Sequence, residues 1–101
     1  MPKSAYEIAR RPGGKYHGWY LQQLKLTNAQ LERAIRSFEC LAEQHRQWIA
    51  DPRSKIPNFD SLHPSQQRDL VERHWRQDIQ RHRDSIDILR NILKERSNAK
   101  S

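Results

Sequence analysis

This chain of 101 residues has a single cysteine, Cys40, only three glycines, and no apolar run approaching eighteen residues. One cysteine excludes an intrachain disulfide and a Cys-based metal cluster, and it fits a reducing compartment. Cys40 stands in a helical stretch and reads as a small core residue. Without a long apolar run, nothing can cross a membrane as a helix. The N-terminal residues also lack the apolar centre of a signal peptide. The spacings of a P-loop, an HExxH helix, a zinc finger or a Ser-His-Asp order are missing too. No stretch alternates apolar and polar residues in the manner of a strand.

Acidic residues are scarce relative to basic ones. Nineteen Lys and Arg stand against twelve Asp and Glu, a formal net charge of +7. That balance points to a polyanionic partner: nucleic acid, an acidic protein or an anionic surface. The excess is uneven. Residues 1–26 carry five cations (Lys3, Arg10, Arg11, Lys15, Lys25) against the one acid Glu7. Residues 27–63 balance, and residues 64–101 carry nine cations against six acids.

Hydrophobic residues make up only 35% of the chain, so a single thin-cored domain is expected, and it folds only if those residues are well placed. They are. Ser4 followed three residues later by Glu7 has capping-box spacing and predicts a short helix from Ala5 to about Arg10. Pro12-Gly13-Gly14 ends it. A second short helix is expected over Tyr16–Leu24, with Tyr20, Leu21 and Leu24 turned inward. Thr27 and Gln30 repeat the capping box and open a helix over 27–50. Its inward face is Leu31, Ile35, Phe38, Ala42, His45, Trp48 and Ile49, at spacings of three and four. Asp51-Pro52 stops it.

Residues 51–63 form a proline-containing loop, pinned to the core by Ile56, Phe59 and Leu62. Pro64 then opens a helix over 64–96, with Val71, Trp75, Ile79, His82, Ile86, Leu89 and Leu93 in phase. Such a helix is about 50 Å long at 1.5 Å per residue, longer than its partner. The excess length implies a break near Trp75 or dimerisation through the overhang. Residues 97–101 are expected to fray. The fold class is all-α: an antiparallel hairpin of two long helices with a short helical N-terminal segment packed on it.

Three groups of residues are candidates for chemistry. The first is the stretch from Arg10 to Tyr20, which holds every glycine of the chain. Gly13-Gly14 lets backbone amides approach an anion. Arg10, Arg11 and Lys15 supply cations, and His17 and Tyr20 supply proton-transfer and hydrogen-bonding groups. Cleavage of RNA through its 2′-hydroxyl needs a base, an acid and a cation, and His, Lys and Tyr provide these without a metal or other cofactor. The competing reading is a solvated turn between two helices. The second group is His74, Asp78 and His82, at i, i+4 and i+8 on one side of a helix. It reads as a metal site or, more simply, as hydrogen-bonded structural histidines. The third is the arginine series of the last helix. Most of its members have acids at i±3 or i±4 and form a solvated face. Arg76, Arg81 and Arg83 have fewer acids beside them and are a candidate phosphate patch.

Pro12-Gly13-Gly14-Lys15-Tyr16-His17-Gly18-Trp19-Tyr20 resembles the opening Gly-Lys-His-x-Gly segment of a small α-helical domain found at the C-termini of bacterial polymorphic toxins of the Rhs and contact-dependent inhibition type, with Tyr16 inserted. Ala34-Ile35-Arg36-Ser37-Phe38-Glu39 is similar to the first long helix of that domain. The segments Ile56–Pro64 and Trp75–Arg81 are similar to its link and last helix. Arg76 stands where the pattern has Pro, and His63 where it has an Asp cap. The resemblance implies a toxin effector acting on nucleic acid in the cytoplasm of a target cell, with an acidic immunity protein as partner. A free-standing toxin and a piece of a larger one both fit.

The resulting expectation is a metal-independent ribonuclease acting on RNA ahead of DNA. Lys15 is its phosphate cation, His17 its acid or base, and Tyr20 a hydrogen-bond partner, with Asp78 and Arg81 brought near as a second cluster. Arg10, Arg11, Lys15, Arg76 and Arg83 are the expected nucleic-acid contacts. Two alternatives stand beside it. One is a non-catalytic basic helical module that binds DNA, RNA or an acidic protein. The other is a structural homodimer built on the 64–96 helix.

Overall fold

The computed structural model describes residues 3–99, and these contain helices and turns but no strand. Helix α1 spans Ala5–Arg10 and α2 spans His17–Gln23. Helix α3 runs over Asn28–Ala50, α4 over Pro64–Arg68 and α5 over Trp75–Ala99. The molecule is elongated, 56 × 27 × 23 Å, because α3 and α5 lie antiparallel and set its length.

Local chemistry fixes the ends of these helices. The Ser4 hydroxyl accepts from the Glu7 amide at 3.2 Å and caps α1. Thr27 and Gln30 form a complete capping box on α3, each amide donating to the other's side chain at 2.9 and 3.1 Å. His63 caps α4 by accepting the Ser65 amide on Nδ1, a role more often taken by Asp or Ser. Between α3 and α4 the chain makes two 3-10 turns, Pro52–Ser54 and Phe59–Ser61. Phe59 is buried there, and Ile56 and Leu62 are half-buried, so the long loop is a packed one.

The expected break near Trp75 is replaced by a π-helical turn over Asp69–His74, in which the Trp75 amide donates to the Leu70 carbonyl five residues back. The chain therefore stays helical from Pro64 to Ala99. Wider turns of this kind change the phase of a helix without ending it. Here the turn delivers Trp75 into the core against Trp48 and Phe59, at ring separations of 6.0 and 6.4 Å. Helix α5 also continues through Ser97, Asn98 and Ala99, which were expected to fray. The last two residues of that expected tail lie outside the described residues.

The core holds Leu31 and Ile35 of α3 against Ile86, Ile88, Leu89 and Ile92 of α5, closed by Tyr6 and Ala9 of α1 and Tyr20 of α2. Helix α1 lies along α5, where the Tyr6 amide donates to Asp87 and Arg10 pairs with Glu95 at 3.6 Å. Arg96 ties the end of α5 to the Leu24 carbonyl and to Asn28 at the start of α3, while the overhang before Trp75 meets the loop, where Gln67 donates to the Leu62 carbonyl at 2.9 Å. Two inward expectations fail. Leu21 and Leu24 are 45% and 38% exposed, because α2 is too short to bury more than one stripe and spends that stripe on Tyr20. Cys40 is exposed, on the opposite side of α3 from Ala42 and Ile35.

Candidate functional site

The glycine-rich loop folds back on α1. Gly14 donates to the Arg11 carbonyl at 2.9 Å and accepts from the His17 amide at 3.1 Å. The Gly14 amide, expected to face an anion, is therefore spent inside the loop. A methyl group on Gly14 would lie 2.0 Å from the Ile8 carbonyl oxygen, so the glycine serves close approach to the chain's own backbone. Tyr16, next to it, adopts the left-handed conformation at φ 68°.

His17 Nδ1 donates to the Ala9 carbonyl at 2.7 Å and so ties α2 to the last turn of α1. That bond leaves Nε2 as the open nitrogen. Lys15 is exposed, with its ammonium 5.0 Å above the Tyr16 ring. Tyr20 is only 8% exposed and packs edge-on to Tyr6 at 6.1 Å, so its ring belongs to the core. Arg10 is engaged by Glu95 and by the Tyr6 ring, and Arg11 is exposed and makes no ion pair among the described residues. Among the described residues no hydrogen bond, ion pair or ring contact joins Lys15 and His17 to Asp78 and Arg81. The second cluster is not brought to the loop.

Asp78 and Arg81 belong instead to a centre on the α3–α5 seam. His45 of α3 is buried, with Nδ1 donating to the Leu41 carbonyl at 2.7 Å and Nε2 lying 3.4 Å from Asp78 Oδ2. The other Asp78 oxygen accepts from Arg81 at 2.5 Å. The His82 ring stands 5.3 Å from His45 and 5.8 Å from Phe38. Partial burial, with His45 and the Arg81 guanidinium beside it, lowers the His82 pKa below the usual histidine value; Asp78 opposes them.

A lowered folded-state pKa favours neutral His82, so its contribution is complete above the unfolded value near 6.5 and is lost as pH falls below it. The melting temperature is expected to fall on acidification through this window, and less steeply for His82→Gln. Equal slopes for the two proteins would refute this.

These rings extend into a file along the seam: Trp19, Phe38, His82, His45, Trp48, Trp75 and Phe59, each 4.5–6.4 Å from the next. Lys55 sits 4.6 Å over Trp48. His45 and His82 look like core-edge histidines from sequence. The signal that joins them to Asp78 is the tryptophan pair: with Trp48 opposite Trp75 in antiparallel helices, His45 three residues back meets Asp78 three residues on. His74 is exposed, and among the described residues no group of three His, Cys, Asp or Glu is arranged around one point.

The arginines divide between the two flanks of α5. At 100° per residue, Arg76, Arg83 and Arg90 share one flank and Asp78, Arg81 and Ser85 the other. Arg76 and Arg83 line one open groove with Arg46, Ile49, Ile79 and Gln80, of about 340 Å³. A neighbouring groove of about 720 Å³ shares Arg46, Gln80 and Arg83 and continues past Arg90 to Ser4 and Ala5. Arg90 is neutralised by Glu39, whereas Arg76 and Arg83 have no acidic partner among the described residues. The expected patch of Arg76, Arg81 and Arg83 is thus corrected: Arg81 turns to Asp78 on the other flank, and Arg46 of α3, paired with Glu43 at 3.3 Å, lines the groove in its place. No described helix is long and apolar enough to cross a membrane. No protein-family model, curated protein or solved structure matches the chain.

Proposed function

We propose that this chain acts on nucleic acid as an effector domain of the polymorphic-toxin kind, taking RNA ahead of DNA and cleaving it without a metal. One observation carries the reading: Arg76 and Arg83, without an acidic partner among the described residues, line a groove with Arg46 on a chain of net charge +7. Guanidinium groups fork onto phosphate oxygens, and an open groove leaves them hydrated and exchangeable until a phosphate arrives. An acidic partner protein would compete for the same groove. RNA is favoured because its 2′-hydroxyl is an internal nucleophile, so a base and a cation suffice for cleavage.

Replacing both Arg76 and Arg83 by Ala tests the binding step. On single-stranded RNA the slope of log affinity against log salt is expected to become shallower by about 0.7 for each arginine lost. Affinity should also fall, most strongly at low salt. An unchanged slope would remove the groove from the interface.

The non-catalytic module remains a second reading, favoured by the structural employment of the loop. His17 is tied to Ala9, and Tyr20 is in the core. The two readings separate on whether bound RNA is ever cut.

A further inference from the structure

Resting on the ribonuclease reading, we propose that the catalytic centre is the seam cluster rather than the glycine-rich loop: His82 accepts the proton, Arg81 binds the phosphate, and His45 and Asp78 are positioning residues behind them.

The geometry forms a line from backbone to solvent. The Leu41 carbonyl fixes the His45 ring, His45 faces one oxygen of Asp78, and the other oxygen holds Arg81. Exposure of the side chains rises along that line, from 11% at His45 through 26% at Asp78 to 63% at Arg81. A buried imidazole thus orients a carboxylate, and the carboxylate orients a guanidinium that reaches water. His82 completes the set. It is half-buried beside this line and makes no hydrogen bond or ion pair among the described residues, so its ring nitrogens are uncommitted. Lys55, over Trp48 at the same end of the seam, adds a second cation. The groups facing His82 are His45 of α3, Arg81 and Asp78 of α5, and the uncharged Phe38; the first two disfavour its protonation and Asp78 favours it.

The step balances without a metal. The 2′-hydroxyl gives its proton to His82 as the 2′-oxygen bonds to phosphorus. The bond from phosphorus to the 5′-oxygen breaks, and that oxygen takes a proton from water. The products are a 2′,3′-cyclic phosphate and a 5′-hydroxyl. The hydroxide left by water then removes the proton from His82. Arg81 bears on the phosphate oxygens, whose charge grows in the transition state.

The substrate form follows from the placement. Arg76 and Arg83 lie on one flank of α5 and Arg81 on the other, with exposed Gln77 and Gln80 on the ridge between. A strand that uses both flanks must bend around one helix, about 10–12 Å across. A single strand does this; a duplex, stiff over such lengths, does not.

The test measures cleavage of a single-stranded RNA oligonucleotide by the full chain, with the same sequence as a duplex beside it. His82→Gln is expected to lower kcat by about 10²–10⁴-fold, with KM and melting temperature near wild type. His45→Gln should move the acid limb of the pH–kcat/KM profile upward, toward the ordinary histidine value, and shift the His82 ring proton titration in NMR the same way. A merely structural role for His45 would leave that titration in place. Full activity in His82→Gln, an unmoved titration in His45→Gln, or equal cleavage of the duplex overturns the proposal. If His17→Ala abolishes cleavage and His82→Gln does not, the assignment fails while the ribonuclease reading stands. Binding without any cleavage by the wild type overturns both.

Discussion

Leu89→Ala is expected to destabilise the fold by about 2–5 kcal/mol. Leu89 is fully buried, at the level of α5 where Leu31, Ile35, Ile88 and Ile92 meet the N-terminal helices. Truncation there loses the transfer energy of the side chain and leaves a cavity. Neighbours on three helices are held by their own contacts and cannot collapse into it. For a domain of this size each kcal/mol corresponds to roughly 4–8 °C in melting temperature, so thermal unfolding should move down by about 10 °C or more. Leu21→Ala is the matched control. That leucine is 45% exposed, and its truncation should shift stability by less than about 0.5 kcal/mol. Similar losses in the two variants would mean that α1, α2 and α5 do not close one core.

Gly14→Ala is expected to cost about 1–3 kcal/mol or more, although it adds only one methyl group. The added carbon would sit 2.0 Å from the Ile8 carbonyl oxygen and 3.0 Å from that of Arg11. Both obstacles are backbone. Ile8 already accepts the Arg11 amide, and Arg11 accepts the Gly14 amide, so relief requires breaking the end of α1. Gly18→Ala reverses the sign. A methyl group there meets nothing within 4 Å, and the position lies in the first turn of α2, where Ala is favoured by at most about 0.8 kcal/mol. Urea unfolding of the two variants side by side reads this directly. A harmless Gly14→Ala would mean that the loop does not fold back on α1.

Much of the fold is legible in the sequence because local chemistry writes it there. Ser4 with Glu7, Thr27 with Gln30, and Pro64 mark helix starts that the backbone hydrogen bonds confirm. The apolar stripe from Leu31 to Trp48 and its partner from Trp75 to Leu93 dictate an antiparallel pair. The π turn before Trp75 is not legible, since it changes the phase by one residue within an unbroken helical pattern. Exposure also goes astray where an element is short: Leu24 stands four residues from Tyr20 and three from Leu21, but α2 meets its neighbours through Trp19 and Tyr20 and leaves both leucines partly in water.

The candidate site is less legible for a different reason. The loop draws notice by its composition, yet its glycines, Tyr20 and the Nδ1 of His17 serve the junction of α1 with α2. Asp78 and Arg81 do belong to a cluster, but His45, which joins them, comes from α3, more than thirty positions away in sequence. Spacing along one helix cannot reveal a pairing that depends on the register between two. Likewise Arg76 and Arg81 look alike in sequence. Five residues along α5 turn one toward a free groove and the other toward an acid.

The most direct measurement is the salt dependence of binding between the full chain and a labelled single-stranded RNA, over about 50–300 mM monovalent salt. With Arg76 and Arg83 each displacing a counterion, and Arg46 contributing less because it is paired with Glu43, log affinity should fall linearly with log salt at a slope of about −1.4 or steeper. Affinity that stays flat across this range, or no binding at its low end, would contradict a chain built to hold nucleic acid.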